Sequence, residues 1–168
     1  MATVEIRMIK ESDAETFLSL CKQLDQETFF MMLEPDERTT TVDEQKARIA
    51  EIINSKNSTI LVAELNGTLI GYVGAYGENY RRCRHSAQVV IGILAAHHRK
   101  GIGTLLFKAL EEWAKDSHVH RLELTVMVHN ENAIALYKKS GFEIEGTKRH
   151  SLVIGKQFID EYYMSKLI

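Results

Sequence analysis

Apolar positions change period repeatedly along the chain, and each change marks a new element. Val4, Ile6 and Met8 alternate with Glu5 and Arg7, which predicts a half-buried strand. Ser12-Asp13-Ala14-Glu15 has the form of a capping box, and Phe17, Leu18, Cys21 and Leu24 follow on one face, so a helix is expected from Ser12. Phe29 to Leu33 is a dense apolar patch beside Pro35, read either as core filling or as one wall of a substrate site. A second capping box, Thr41-Val42-Asp43-Glu44, opens a helix carrying Ala47, Ile49, Ala50, Ile52 and Ile53, which stops at the polar run 54–58.

The period then falls to two. Thr59 to Leu65 and Thr68 to Tyr76 read as strands joined by Asn66-Gly67, the residue pair of a type I′ hairpin turn. Val89 to Leu94 is an almost unbroken β-branched run, as expected of a strand covered on both faces, and Gly92 within it signals a bulge or a close backbone approach. From Gly101 the period returns to 3.6: Ile102, Leu105, Leu106, Ala109, Leu110 and Trp113 form one stripe, ending near Ser117. Arg121 to Val128 alternates again through Leu122, Leu124 and Val126. A short helix is expected from Asn130 or Glu131 to Ser140-Gly141, then a final hairpin of Phe142 to Leu152 and Gln157 to Leu167. Seven strands and four helices in this alternation imply one mixed α/β sheet with helices on both faces, and a single domain over 1–168.

The junction at Arg99-Lys100-Gly101-Ile102-Gly103-Thr104 carries the chemistry. A strand-to-helix turn places unpaired N–H groups, the positive end of the helix dipole and two cationic side chains together, which suits a pyrophosphate. Gly101 and Gly103 are expected to let the backbone approach the oxygens, with the Thr104 hydroxyl as a further donor. A P-loop needs G-x-x-x-x-G-K-S/T, which is absent, and a dinucleotide fingerprint needs a third glycine where Leu106 stands.

Composition narrows the field. The chain has 168 residues, 45% apolar and 26% charged, ordinary values for a domain with a full core. A net charge of −2 gives no general attraction to nucleic acid, and the basic cluster Arg81 to His85 reads as a solvated loop. Cys21 and Cys83 form no C-x-x-C pair. No signal-peptide pattern and no apolar run near ~18 residues is present, so a reduced cytoplasmic protein without membrane or nucleic-acid partners is expected. The histidines at 97, 98, 118, 120 and 129 lack metal-site spacing, and no metal is expected.

His98-Arg99-Lys100-Gly101-Ile102-Gly103 resembles motif A of the GNAT N-acetyltransferases, Q/R-x-x-G-x-G/A, departing only at His98. The stretch Asn130-x-x-Ala133-Ile134-Ala135-Leu136-Tyr137-x-Lys139-x-Gly141-Phe142 resembles motif B of the same family. The resemblance covers essentially the whole chain in element order. It implies a mixed, mostly antiparallel seven-stranded sheet with about four helices, whose two central strands splay apart, Gly92 standing where that divergence is expected to begin. It also implies acetyl-CoA as the acyl-donor cosubstrate. Ile93 and Leu94 would hold pantetheine through their backbones, the turn His98 to Thr104 the diphosphate, and Asn130, Ala133, Tyr137 and Lys139 the remainder. Tyr137 would protonate the departing thiolate. The carboxy-terminal stretch, Glu145 through Met164, resembles the branch with small-molecule and ribosomal-protein acetyltransferases.

Acetyl transfer to an amine also needs a route for the amine's proton. Many family members carry a glutamate where this chain has Gln88, so a path through water is implied, with His85, Glu78 and Glu34 as candidate bases. Deprotonating an alkyl amine of pKa ~10.4 at pH 7 costs roughly 4.6 kcal/mol, against about 1 for an α-amine near ~7.8, so a weak base favours α-amines. The reading is a direct N-acetyltransferase acting on a primary amine of a small molecule, amino acid-like or related. Polyamine and protein N-terminal acetylation are the alternatives within enzymes, and a non-catalytic acyl-CoA sensor the alternative outside them. Homodimers are common in the family.

Overall fold

The Asn66-Gly67 turn forms as its residue types require: in the computed structural model, which describes residues 2–168, φ is 50° at Asn66 and 79° at Gly67. In chain order the elements are β1 (Glu5–Met8), α1 (Ala14–Glu27), α2 (Val42–Asn54), β2 (Thr59–Leu65), β3 (Thr68–Gly77), β4 (Ser86–Ile93), α3 (Ile102–Asp116), β5 (Arg121–Met127), α4 (Glu131–Lys139), β6 (Glu143–Ile154) and β7 (Gln157–Leu167). The strands form one sheet in the order β1-β2-β3-β4-β5-β7-β6, antiparallel except where β5 runs parallel to β4.

Strand parity divides the core into two layers. Leu61, Val73, Ala87, Val89, Leu122, Leu124 and Val126 face α3, meeting Leu106, Phe107 and Leu110. Ile60, Val62 and Tyr72 face the other way, against Phe17, Leu24, Ile49 and Ile52 of α1 and α2. The α1–α2 layer lies on β2, β3 and β4. On the same side of β7, Tyr163 remains 46% exposed.

The second helix begins as expected, with Thr41 Oγ1 accepting from Glu44 N–H at 3.2 Å and Glu44 Oε2 from Thr41 N–H at 2.8 Å. The first does not begin at Ser12. Glu11–Asp13 form a 3-10 turn and α1 starts at Ala14. Asp13 accepts from Lys10 N–H at 2.7 Å and from Arg7 on β1 at 2.8 and 2.9 Å, so a tertiary ion pair, invisible in the local pattern, overrides the Ser12 box.

β4 departs from expectation in two ways that create the site. It is not covered on both faces, because Val90 is 38% exposed. Its pairing with β5 is confined to Ser86–Arg121, Ala87–Leu122 and Gln88–Glu123. Beyond Gln88 the strands part, while β4 stays paired with β3 to Ile93 and β5 with β7 to Met127. The divergence therefore begins well before Gly92. Gly92 sits in an unbroken β3–β4 register, with no bulge, and a Cβ there would lie 2.7 Å from Leu24 Cδ1, so close packing by α1 is what it serves.

Candidate active site

The turn that opens α3 is built for an anion. Gly101 occupies the N-cap at φ 78° and no side chain caps the helix. The first intrahelical bond there is Leu105 N–H to Gly101 O at 3.1 Å, which leaves the N–H groups of Ile102, Gly103 and Thr104 at the positive end of the dipole without helical acceptors. A Cβ at Gly101 would project into open space, within which no atom lies closer than 4 Å. These features fit a diphosphate. Arg99, exposed, has a φ of 58°, a left-handed conformation that costs a non-glycine residue roughly 1–3 kcal/mol and clusters at ligand clamps.

Other members of the turn serve elsewhere. Lys100 Nζ donates to Ala96 O at 2.9 Å. His98 Nε2–H donates to Ile93 O at 2.7 Å, so the imidazole braces the end of β4. Gly103 is buried, and a Cβ on it would stand 2.7 Å from Leu136 Cδ2, so its lack of a side chain lets α4 pack against α3 and does not clear a path to oxygens. Thr104 lies exposed in the first turn, and Lys139 in the last turn of α4.

Along the gap between β4 and β5, hydrogen-bonding parity decides which peptide groups are presented. Leu94 N–H donates to Ile70 O at 2.9 Å and Leu94 O accepts from His97 N–H at 2.8 Å, so the Leu94 backbone, expected to hold pantetheine, is committed. Bonded residues alternate along an antiparallel strand, so with Leu94 turned to β3 the peptide groups of Ile91 and Ile93 turn to the side β5 has left. Ile93 is among the residues the sequence pointed to; Ile91 is not, because parity depends on the β3 register.

Asn130 caps α4, its Oδ1 accepting from Ala133 N–H at 3.3 Å. That helix holds Tyr137 under an aromatic cluster, its ring 5.7 Å from Phe107 and 6.1 Å from Phe142. Tyr137 is 8% exposed, and burial pushes its phenol above the ordinary range, so it keeps its proton at neutral pH. Its hydroxyl has no hydrogen-bond partner among the described residues.

Tyr137 and Asn130 border a cavity of about 130 Å³ where the open part of β4 meets the loop after α1. Phe30, Met31, Met32, Val90, Met127 and Leu152 give it apolar walls, and Gln88, Thr125 and Glu161 add polar groups. Phe30, Met31 and Met32 of the apolar patch after α1 therefore wall this cavity, Met31 also packing against the α1–α2 core. None of the three candidate bases lines this cavity. His85 lies exposed at the closed end of the gap, its carbonyl accepting from His120 and Arg121 N–H at 2.9 and 3.1 Å. Glu78 is exposed beyond β3, and its carbonyl accepts from Asn57 Nδ2 at 2.8 Å. Glu34 is exposed in the turn it shares with Glu37. The carboxylate in the cavity is Glu161, only 5% exposed. The signal that could have found it is an acid at an inward position of the last strand.

A mixed sheet split along its parallel pair, with an open helix start at one end of the split and a cavity at its centre, defines an acyltransferase architecture. Residues 19–142 match the Acetyltransferase (GNAT) family, and the chain belongs to it. It is 33% identical over 108 residues to the L-amino acid N-acetyltransferase AaaT of Escherichia coli K12, a match spanning 64% of this chain and 67% of that protein. The crystal structure of a GNAT-family acetyltransferase from Streptococcus pneumoniae superposes with a TM-score of 0.96 at 34% identity over 99% of both chains. The fold is also that of yncA from Salmonella typhimurium, solved with its cofactor acetyl-CoA, at a TM-score of 0.86 and 20% identity over 98% of this chain and 93% of that one. The chain is thus an N-acetyltransferase whose acyl donor is acetyl-CoA. No helix among the described residues is long and apolar enough to cross a membrane.

Proposed function

We propose that this enzyme acetylates the primary amine of a small molecule of amino-acid-like size by direct attack, without an acyl-enzyme, in the cytoplasm. The observation that carries this reading is the cavity of about 130 Å³, which joins the open stretch of β4 to the Tyr137 ring and whose lining among the described residues includes no Cys, Ser, Lys or His. Cys21 lies in the α1 core, where burial pushes its thiol up to about 11, and Cys83 lies in the loop before β4, away from the cavity lining.

When bound, acetyl-CoA supplies the activated thioester. The residues that would hold it are Arg99, Gly101 and the first-turn N–H groups of α3 at the diphosphate, then the peptide groups of Ile91 and the N–H of Ile93 along the gap, the Ile93 carbonyl being held by His98. Asn130 fixes the start of α4 and with it the height of Tyr137. The Tyr137 hydroxyl would donate a hydrogen bond to the leaving sulfur. Its burial makes full proton loss to a thiolate of pKa ~8.5 uphill, so stabilisation of developing charge is its larger contribution. A screen of small amines against acetyl-CoA, following thiol release with both substrates varied, tests the reading. Intersecting initial-rate lines are expected, and a ping-pong pattern or exclusive acetylation of polypeptide N-termini would overturn it.

A further inference from the structure

Glu161 is held in a way that core packing alone does not require. Lys148 and Leu152 of β6 pair with Glu161 and Ile159 of β7, so residues 149–151 bulge out opposite Asp160 alone. Within the bulge His150 takes a φ of 50°, and its N–H donates to Asp160 Oδ1 at 2.8 Å. The outcome is that Ser151 Oγ–H donates to Glu161 Oε1 at 2.8 Å. Lys148 Nζ lies 3.9 Å from the same oxygen and 5.9 Å from the centre of the Tyr163 ring. Oε2 has no hydrogen-bond partner among the described residues. Thr59 Oγ1 is the one fully buried, unpartnered side-chain polar atom among them, so Oε2 is not sealed in, and Glu161 is one of the residues that line the cavity.

The remaining walls set a second constraint. Among the described residues the cavity lining contains no Lys, Arg or His, and Glu161 is its sole charged side chain. Lys148 Nζ, 3.9 Å from Oε1, lies outside this lining, so an acceptor with a free carboxylate would meet no cation among the lining residues and would bring a second negative charge toward Glu161. We infer that the acceptor is a hydrophobic primary amine whose carboxyl is absent or masked as an amide, seated with its ammonium on Glu161 Oε2 and its apolar part against Phe30, Met31, Val90 and Leu152. The inference rests on the acetyl-transfer reading for the identity of the reaction, and on the charge of the cavity for the class of acceptor. Gln88, whose neutral amide borders the same cavity, adds no charge, so Glu161 is the one charged side chain of the lining that an incoming ammonium meets, with Lys148 on its other oxygen.

The test compares leucine, leucinamide and isoamylamine, which share an apolar side chain and differ in the carboxyl. Binding to the coenzyme A-saturated protein is measured by calorimetry, and acetylation by thiol release. Leucinamide and isoamylamine are expected to exceed leucine by about a hundredfold in affinity and in kcat/KM, as juxtaposed like charges in a desolvated site cost several kcal/mol. Glu161→Gln is expected to lower both for the two amines by about tenfold or more and to narrow the gap to leucine, with coenzyme A affinity unchanged; Glu161→Asp should retain the preference. If leucine binds as well as its amide, the inference is overturned while acetyl transfer stands. Selective binding of the amines without acetylation would support the inference and overturn the transfer reading. Should Glu161→Gln fold poorly, the wild-type ranking of the three acceptors decides the matter.

Discussion

Arg38 reaches across the loop after α1 to grip Asp25 with two hydrogen bonds, Nε to Oδ2 at 2.5 Å and Nη2 to Oδ1 at 3.0 Å. The Asp25 side chain is fully buried and that of Arg38 is 15% exposed. The pair closes the segment that carries Phe30, Met31 and Met32, so it positions the apolar wall of the cavity proposed for the acceptor. Removing one partner from such a pair strands a buried charge. Arg38→Ala is therefore expected to cost about 3–5 kcal/mol in denaturant unfolding and to raise KM for the acceptor more than for acetyl-CoA. Unchanged stability would show that the carboxylate has another partner.

Tyr137→Phe removes a hydroxyl and leaves the ring contacts with Phe107 and Phe142 in place. The melting temperature and coenzyme A affinity should stay near wild type while kcat falls by about ten- to a hundredfold, read as single-turnover rates. Because burial raises its pKa, the phenol is protonated across the neutral range, so an alkaline limb in the wild-type rate profile would belong to another group.

The two motif glycines should fail differently. Gly101→Ala places a side chain at a φ of 78°, with nothing within 4 Å to clash with, so a loss of about 1 kcal/mol in stability and a larger loss of coenzyme A affinity are expected. Gly103→Ala drives a methyl into Leu136, so it should destabilise the fold first, and Leu136→Ala should recover part of that loss. Calorimetric titration beside thermal melts of all four proteins separates the effects.

Acid stability should depend on Glu111, which ties α3 to β7. Lys166 above all, and then Lys115, hold its carboxyl at about 2, below the ordinary 4.5. A lowered folded-state pKa contributes stability that is present above 4.5 and disappears as pH falls toward 2. Glu111→Gln should thus unfold at lower urea than wild type at neutral pH, and the two should converge near pH 2. A constant difference across that range would assign the effect to packing.

Local chemistry made much of the fold readable. Asn66-Gly67 and Thr41-x-x-Glu44 act through neighbours a few residues away, and both form as the residues require. Where a partner is distant in sequence, the reading erred. Ser12 lost its cap because Asp13 answers to Arg7 on a strand, and Gly92 and Gly103 are glycines for the sake of Leu24 and Leu136. The turn before α3 was legible because backbone groups carry its chemistry. The cavity proposed for the acceptor was not: Gln88, Val90, Met127, Leu152 and Glu161 come from four strands, and only the register brings them to one face.

Three residue pairs are a thin weld for a sheet of this width. Mechanically the enzyme is two plates, β1 to β4 and β5 to β7 with β6, joined from Ser86 to Gln88 and spanned by α3. A ligand lying along the gap replaces the missing part of the weld, so occupancy and rigidity rise together and the melting temperature itself reports donor concentration. Phe30, in the loop after α1, and Glu161, on β7, stand on the two sides of the gap, so filling it is expected to fix the spacing an incoming amine has to meet.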